Sequence, residues 1–340
     1  MAFITLDRSA FYHNLDRITE KAGNIGKVAL VLKDNAYGHG LDETAAMASA
    51  YGVTKAVVRT VAEARRIEKH FAYILVLSEI PETPFSNVCF TINALEDIGC
   101  FPQGCRVELK VDTGMHRNGI AEAELERAFA AIREAGLELE AVFTHHRSAD
   151  ELGSDYFWQR KRFDIVREKA QALAKRFGFP RLRFHSANSA ALFRTSQCRD
   201  DMVRIGIAAY GSLQMAPTLP QPKLKPVLSL WAQQLSKRQL KAGERIGYGG
   251  TFEAPEPMNI SVYDLGYADG LLRSASNRGY IAPGGEVLLG RISMDNCCFR
   301  GEKEELQIFN DARRYAEAAG TIPYEVLVGL SPAIERRIIG

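Results

Sequence analysis

The stretch "VALVLKDNAYGHGLDETAAMASAYGVTKAVV", residues 28–58, contains one complete unit of strand, turn, helix and strand. The apolar runs Val28–Leu32 and Lys55–Val58 have strand length, whereas Asp42–Tyr51 has helical periodicity. Two strands that are joined through a helix lie parallel. Lys33 stands directly after the first strand, and two interpretations fit it: a solvated cap, or a desolvated lysine at the mouth of a pocket that acts as a nucleophile or forms a Schiff base.

The same unit repeats along the first two thirds of the chain. Helical segments lie between most of the predicted strands, at Asp42–Tyr51, Val61–Phe71, Glu122–Ala135 and Asp155–Phe177, although the intervals after the third and fourth strands are shorter. Eight such units predict an α/β fold, a closed (β/α)8 TIM-like barrel. An open doubly wound sheet is the alternative, because periodicity does not show closure. The eight predicted strands are Val28–Leu32, Lys55–Val58, Tyr73–Leu77, Val88–Ile92, Arg106–Val111, Ala141–Thr144, Leu182–Phe184 and Met202–Ile205.

The composition of the chain changes after Tyr210. The segment "MAPTLPQPKLKP", residues 215–226, carries four prolines and indicates a boundary. Beyond it, alternating runs such as Val227–Leu235 and Asn259–Leu265 predict a mostly antiparallel β domain, with almost no helix before Asp311–Ala319. We therefore expect a barrel over residues 5–222 and a β domain over residues 223–340, joined by an N-terminal strand, residues 1–4.

Charge and composition exclude several classes of protein. The chain has 340 residues, and its 43 basic and 41 acidic residues give a net charge of +2, which offers no electrostatic case for nucleic acid or a membrane surface. No signal peptide is evident and no apolar run approaches membrane-spanning length. The six cysteines have no spacing typical of a zinc site or a disulfide framework. We expect a cytoplasmic protein without a metal.

Polar and ionisable residues follow five of the predicted strands. In a parallel barrel the carboxyl ends of all strands lie on one face, which is where barrel enzymes carry their chemistry. Any one of these residues is more often structural than catalytic, but five strand ends that agree predict a site. These residues are Lys33, Lys110, Asp112, His145, His146, His185, Asn188, Ser189, Arg204 and Gly206.

The chain resembles the alanine racemases, which combine a barrel with a β domain and use pyridoxal 5′-phosphate (PLP). "VLKDNAYGHG" is similar to the PLP-lysine segment of that family, in which alanine is more usual at the position of Asp34. The other motifs follow in family order over nearly the whole chain: "ELKVDTGMHRNG" (108–119), "HSANSAA" (185–191), "MVRIGIAAYG" (202–211), "IGYGGTF" (246–252), "LGYADGLLR" (265–273), "GRISMD" (290–295) and "PYEVL" (323–327).

The resemblance implies roles for the barrel residues. It makes Lys33 the lysine that binds PLP as a Schiff base, and it assigns Arg204 to the pyridine nitrogen, with His145 hydrogen-bonded to that arginine. A permanently charged arginine there disfavours protonation of the ring. The remaining residues that the resemblance assigns to cofactor binding, most of them around the phosphate, are Tyr37, Asn188, Ser189, Gly206, Ile207 and Tyr324.

Further residues are assigned to substrate binding and proton transfer. Arg117 resembles the arginine near the substrate carboxylate, and Lys110 resembles a lysine that is often carbamylated in the family; an unmodified Lys110 paired with Glu108 or Asp112 is the alternative. Racemisation needs a second base opposite Lys33, and the resemblance supplies Tyr248 from the partner subunit of a homodimer. From the partner it also implies Met294 as a substrate ligand and Tyr267 and Arg273 at the entrance channel, where Asp150 of the barrel is retained.

One segment departs from the family pattern, because His146 and Arg147 stand where a phenylalanine and a small residue are typical. Either they alter substrate preference or pH response, or they point away from the site. The expected activity is interconversion of L- and D-alanine, which supplies D-alanine for peptidoglycan. The alternatives are a broad-specificity or serine-preferring racemase of the same fold, a PLP-binding barrel protein without catalysis, and a related two-domain decarboxylase.

Overall fold

The chain enters the fold through a strand of its second domain. The computed structural model describes residues 1–340 and begins with β1 (Phe3–Asp7), followed by a helix, Arg8–Ala22, that leads into the barrel. The Asp7 side chain caps this helix by accepting a hydrogen bond from the backbone N–H of Ala10 at 2.9 Å. This cap therefore lies where the chain passes from the second domain to the barrel.

Eight parallel strands form the barrel sheet, in the order β8-β7-β6-β5-β4-β3-β2-β9. Backbone hydrogen bonds from Asp201 to Phe184 and from Arg204 to Ala187 bring the last two strands together at the seam. The predicted TIM-like barrel is thus confirmed, in a nearly closed form. Its strands are β2 (Val28–Val31), β3 (Lys55–Val58), β4 (Tyr73–Val76), β5 (Val88–Ile92), β6 (Arg106–Lys110), β7 (Glu138–Phe143), β8 (Arg183–His185) and β9 (Val203–Ile205).

The barrel strands are short apolar runs because both of their faces are covered. Every residue of β2, β4 and β5 is buried, as parallel strands require when helices lie outside and side chains fill the interior. The helices around the barrel are Leu41–Tyr51, Val61–Ile67, Leu125–Glu134, Asp155–Phe177 and Ser189–Arg194. The intervals after the third and fourth predicted strands are short in the sequence because no α-helix lies between β4 and β5 or between β5 and β6.

The second domain is a mostly antiparallel sheet, as predicted. Its long central strand pairs with two others and also with β1, at Phe3↔Trp231, and β1 pairs in parallel with the last strand. The strands are β10 (Leu228–Leu240), β11 (Arg245–Ile246), β12 (Phe252–Glu253), β13 (Met258–Tyr263), β14 (Leu288–Leu289), β15 (Cys297–Arg300), β16 (Glu305–Phe309) and β17 (Glu335–Ile339), with helices Ala312–Ala319 and Pro323–Val328.

One apolar core of 85 buried residues runs through both domains. Leu30 of the barrel, Leu228 of β10 and Val326 of the last helix all belong to it. Such continuous packing holds the last helix of the second domain against the barrel. None of the helices combines the length and the apolar character that a membrane span requires.

Candidate active site

Lys33 opens a left-handed turn at the carboxyl end of β2. Four successive non-glycine residues, Asp34 to Tyr37, have φ between 53° and 55°, and Gly38 follows at 77°. Each non-glycine residue in this region costs about 1–2 kcal/mol, so the turn needs external support. The turn presents the side chains of Lys33 and Tyr37 to the same cavity.

Both domains supply that support. The backbone N–H of Asp34 donates to Glu63 Oε1 at 2.7 Å, and Arg336 of β17 donates to the carbonyl of Gly38 at 3.0 Å. Gly38 itself is required because a Cβ there would lie 1.9 Å from the carbonyl oxygen of Leu327. The lysine-bearing turn is therefore held between the barrel and the end of the second domain.

A cavity of about 450 Å³ occupies the mouth of the barrel. Lys33 follows β2, and Arg204 lies within the neighbouring strand β9. The cavity brings together all the barrel residues that the resemblance singled out, with Tyr324 of the second domain. They are Lys33, Tyr37, Lys110, Arg117, His145, Asp150, Asn188, Ser189, Arg204, Gly206, Ile207 and Tyr324.

One end of the cavity is built from hydroxyl groups and backbone amides. Ser189 Oγ accepts hydrogen bonds from the N–H groups of Gly206, at 3.2 Å, and Ala208, at 3.3 Å. Glycine is required at position 206, because the Cβ of any other residue would lie 2.6 Å from the Tyr37 hydroxyl. Burial raises the pKa of both Tyr37 and Tyr324, so both phenols are neutral hydrogen-bond donors. This end suits an anion that accepts hydrogen bonds.

The opposite end contains a buried arginine with a histidine behind it. Arg204 donates through Nη1 to Nδ1 of His185 and through Nη2 to the carbonyl of Thr144 at 2.7 Å. Burial lowers the pKa of Arg204 to about 10, which leaves the guanidinium charged at neutral pH. The prediction that His145 hydrogen-bonds this arginine was wrong. His185 takes that place because β8 is the neighbour of β9 across the seam of the barrel.

The partners of His185 fix its tautomer. Nε2 lies 2.9 Å from Glu108 Oε2, and burial lowers the pKa of the imidazole, so a neutral ring donates to Glu108 and accepts from Arg204. Burial opposes the charge on Glu108, but His185 and Arg183 beside it lower its pKa to about 2. A fixed carboxylate thus lies behind the arginine, inside the barrel.

Residues 145–147, which follow β7, have different environments. His145 lines the cavity, and burial together with the nearby Arg204 and Lys110 holds its pKa well below the usual range. His146 is buried against the edge of Tyr156, and burial lowers its pKa to about 4. Arg147 bonds Asp155 and the carbonyl of Gly114. Neither His146 nor Arg147 lines the cavity, which favours the second interpretation of this departure.

Lys110 and Arg117 stand together on another wall of the cavity. Asp112 shapes the loop between them, because its carboxylate accepts the backbone N–H groups of Gly114, Met115 and His116. Burial and then the charges of Arg117 and Arg204 lower the pKa of Lys110 to about 8. Neither Glu108 nor Asp112 forms an ion pair with Lys110, in contrast to the unmodified alternative.

The other second-domain residues that the resemblance assigned to the site lie apart from this cavity within one chain. Tyr248 and Met294 line a separate open cavity, with Gly247, Gly249 and residues 293–296, that shares no residue with the first. Tyr248 is 66% exposed, Tyr267 42% and Met294 54%, which is high for such large apolar side chains. Arg273 begins a short turn of the same domain and does not line the barrel cavity.

Sequence reasoning missed the roles of Glu108, His185 and Asp34. An acidic residue within the apolar run Val107–Leu109 was a usable signal, since a buried carboxylate needs partners. His185 was predicted to follow the seventh strand and is the last residue of β8, but its partner depends on which strands meet at the seam. Asp34 was noted only as a departure, although its side chain lines the cavity beside Lys33.

Known proteins match this chain over nearly its whole length. The sequence profile "Alanine racemase, N-terminal domain" matches residues 6–214, and "Alanine racemase, C-terminal domain" matches residues 227–338. The chain is 47% identical to an alanine racemase of a Nitratiruptor species, over 99% of both chains, and 44% identical to one of Campylobacter curvus, over 100% of both. The crystal structure of alanine racemase from Streptomyces lavendulae superposes with a TM-score of 0.87 at 26% identity, covering 100% of this chain and 97% of that one. The chain therefore belongs to the alanine racemase family.

Proposed function

We propose that the protein is a PLP-dependent alanine racemase that interconverts L- and D-alanine. The observation that carries the proposal is the convergence of Lys33, Arg204 and the end lined by hydroxyl groups in one cavity of a chain that matches alanine racemases over 99% of its length. The further claim that the D-alanine serves peptidoglycan rests on the bacterial relatives alone.

The residues of the cavity fit PLP. The phosphate would bind to the hydroxyls of Tyr37, Ser189 and Tyr324 and to backbone N–H groups at Gly206 and Ile207, where the missing Cβ leaves room. Asn188 and His145 complete the lining of the cavity. When bound, PLP supplies an electron-withdrawing ring that makes the α-proton of an attached amino acid removable.

Arg204 would set the charge next to the pyridine nitrogen of bound PLP. Its guanidinium is already fully protonated and cannot accept a proton. Its two terminal nitrogens donate hydrogen bonds to His185 and to the carbonyl of Thr144. Because His185 is itself neutral and anchored on Glu108, the arginine cannot relay a proton to the ring. Arg204 would thus leave the ring of bound PLP unprotonated and less electron-withdrawing, which would favour prompt return of the proton to the substrate and suppress transamination.

Arg117 and Met294 would orient the substrate carboxylate, Arg117 through its guanidinium and Met294 of the partner through its backbone N–H. Lys110 lies beside Arg117 with a lowered pKa and without a carboxylate partner. A neutral amine reacts with carbon dioxide to form a carbamate, which turns the cation into an anion. That anion would hold Arg117 in place through a charge-assisted hydrogen bond, where an unmodified lysine would repel it.

Two bases are needed because the proton leaves one face of the substrate and returns to the other. Lys33 serves one face. Tyr248 is the proposed second base, and it would come from the partner of a homodimer, since within one chain it is exposed and outside the cavity. Asp150 of one chain would then form the entrance channel with Tyr267 and Arg273 of the other. Two shared sites per dimer follow from twofold symmetry.

A coupled assay tests the function. Purified protein is incubated with L-alanine, and D-alanine is detected with D-amino-acid oxidase; we expect PLP-dependent production that Lys33→Ala abolishes. L-Serine in place of L-alanine distinguishes the alternative of a broad or serine-preferring racemase. Release of carbon dioxide from an amino acid would instead indicate a decarboxylase, and PLP binding without turnover of any amino acid would overturn the proposal.

A further inference from the structure

Arg147 connects the loop that carries Arg117 to the first turn of the helix Asp155–Phe177. Its Nη1 donates to the carbonyl of Gly114 at 2.9 Å, and its Nη2 donates to Asp155 Oδ2 at 2.6 Å. Its Nε donates to the same carboxylate oxygen at 3.2 Å. One guanidinium thus bridges the loop and the helix through charge-assisted hydrogen bonds.

The backbone from which this side chain extends is fixed by a buried glutamine. The N–H of Arg147 donates to Gln159 Oε1 at 3.0 Å, and Gln159 Nε2 donates to the carbonyl of His145 at 3.3 Å. Gln159 is fully buried and belongs to the same helix as Asp155. The segment after β7 is therefore held on the helix by its backbone, and Arg147 reaches the loop from a fixed position.

The Arg117 loop, residues 112–119, has few other supports. The carboxylate of Asp112 accepts the N–H groups of residues 114–116, but these bonds lie within the loop. Between Gly114 and Asn118, the carbonyl of Gly114 is the only backbone group that hydrogen-bonds to a residue outside the loop, and its donor is Arg147. Arg117 itself is exposed, so its position depends on the backbone that carries it.

The loop also packs on the helix at the point where Arg147 binds it. A Cβ at Gly114 would lie 2.6 Å from Cζ3 of Trp158, and the φ of Gly114 is 132°, which favours glycine. Arg162 covers the indole, with its Cζ 4.6 Å from the ring centroid. The backbone at Gly114 thus lies directly against Trp158, and the hydrogen bond from Arg147 fixes how its carbonyl is oriented there.

We propose that Arg147 is a positioning residue for the substrate carboxylate: it holds Gly114 on the helix and so keeps Arg117, further along the same loop, at the wall of the cavity. This role rests on the proposed function of Arg117. Arg147 does not line the cavity, so it touches neither substrate nor PLP. The barrel residues that would bind the phosphate of PLP follow β2, β8 and β9, whereas the Arg117 loop follows β6.

The size of the effect follows from the exposure of the contact. The side chains of Arg147 and Asp155 are 37% and 47% exposed, so the tether is of modest strength. Its loss should raise KM for alanine about two- to fivefold. The turnover number should change by less than about twofold, because a carboxylate contact stabilises the bound substrate and the transition state alike.

The test compares Arg147→Ala and Arg147→Lys with the unmodified protein, each loaded with PLP. Hydrogen–deuterium exchange, followed by mass spectrometry, reports on the loop directly, and we expect faster exchange at residues 114–116 in Arg147→Ala. Steady-state kinetics gives KM and kcat in both directions. Propionate has the carboxylate of alanine without its amino group, so its inhibition constant should rise by the same factor as KM. Arg147→Lys should be intermediate, since one amine nitrogen cannot replace all the bonds of a guanidinium.

Arg176→Ala is the matched control, because Arg176 pairs with Glu126 at 2.7 Å near the opposite end of the same helix and should change neither exchange at residues 114–116 nor KM. Unchanged exchange in Arg147→Ala would overturn the inference, and so would faster exchange with unchanged KM and propionate inhibition. A parallel loss of PLP affinity, kcat and melting temperature would indicate a general structural role and would also overturn it. Exchange requires no turnover, so absence of racemisation in the unmodified protein would refute the proposed function while the tether is still measured.

Discussion

Glu108 Oε2 lies 2.9 Å from His185 Nε2 inside the barrel, and His185 Nδ1 accepts from Arg204 at the cavity wall. The arginine beneath the site is therefore anchored on a carboxylate three strands away. Such a chain of groups is stable only if every member keeps its partner, because an orphaned buried charge costs several kcal/mol.

Acid should remove the stabilisation that Glu108 provides. Its pKa is lowered from 4.5 to about 2, so the stabilisation is complete above pH 4.5 and is lost as the pH falls towards 2. The shift corresponds to roughly 3 kcal/mol of unfolding free energy. We expect Glu108→Gln to be destabilised by several kcal/mol at pH 7, and the difference from the unmodified protein to shrink between pH 5 and pH 2 in denaturant titrations. Glu126→Gln, at an exposed ion pair with Arg176, should change stability by less than about 1 kcal/mol.

Lys33→Ala should lose both the visible absorbance of lysine-bound PLP and racemisation. Two lysines line the cavity, Lys33 and Lys110, so Lys110 is the alternative residue for binding PLP. Borohydride reduction of the PLP-loaded protein, followed by peptide mass spectrometry, identifies the modified residue. Modification of Lys110 instead would show that the assignment of the two lysines is reversed.

Arg204→Glu should slow racemisation and raise the share of transamination, because a carboxylate at this position favours ring protonation. The ratio of pyruvate formed to D-alanine formed measures this partitioning and does not depend on the folded fraction. The variant places a second carboxylate near Glu108, so its melting temperature is recorded in parallel. An unchanged ratio in a folded variant would refute the role given to Arg204.

Lys110 should carry a carbamate in the presence of bicarbonate. Its pKa of about 8 leaves an appreciable neutral fraction at pH 7.5 to 8, and Arg117 favours an anion beside it. Isotopically labelled bicarbonate should give a carbamate signal in nuclear magnetic resonance spectra that Lys110→Met abolishes. Lys55→Met, at a lysine outside the cavity, is the control and should retain the signal.

Mixing two inactive variants tests the shared sites. If Tyr248 acts in the partner's cavity, a dimer of one Lys33→Ala chain and one Tyr248→Phe chain has one doubly altered site and one intact site. About half the native activity per mixed dimer is then expected, since separate sites act independently. Dimer exchange is verified by native mass spectrometry. Formation of mixed dimers without any activity would place Tyr248 in the site of its own chain.

The sequence alone predicted the repeating unit of strand and helix and the face of the barrel on which the site lies. Alternation of apolar strands with amphipathic helices predicts parallel strands, and parallel strands place all their carboxyl ends together. The barrel and the antiparallel domain were predicted in this way, and the helix Asp155–Phe177 agrees with the structure at both ends. Lys33 follows β2 and Arg204 lies in β9, its neighbour, so their presence at one cavity follows from topology.

Element boundaries were less predictable where tertiary contacts override local pattern. The sixth barrel strand was predicted at Ala141–Thr144, but β7 spans Glu138–Phe143, since Glu138 and Leu139 also pair with β6, before a register shift at Glu140. Glu140 is tolerated there because Arg106 and Arg183 pair with it. The polar residues interrupt the apolar pattern of a strand in the sequence, and the full length of β7 is defined by its pairing with β6 and β8.

What the tertiary structure alone decided is which side chains meet. His145 and His185 end or follow neighbouring strands, and nothing in their local sequence distinguishes the one that reaches Arg204; the seam between β8 and β9 selects His185. The left-handed turn that pairs Lys33 with Asp34 has no local signature either, because four non-glycine residues with positive φ are individually unfavourable. The turn exists because Glu63 and Arg336, distant in sequence, bind its backbone from two domains. Short-range patterns determine elements and their direction, whereas contacts across the barrel and between the domains depend on how those elements pack.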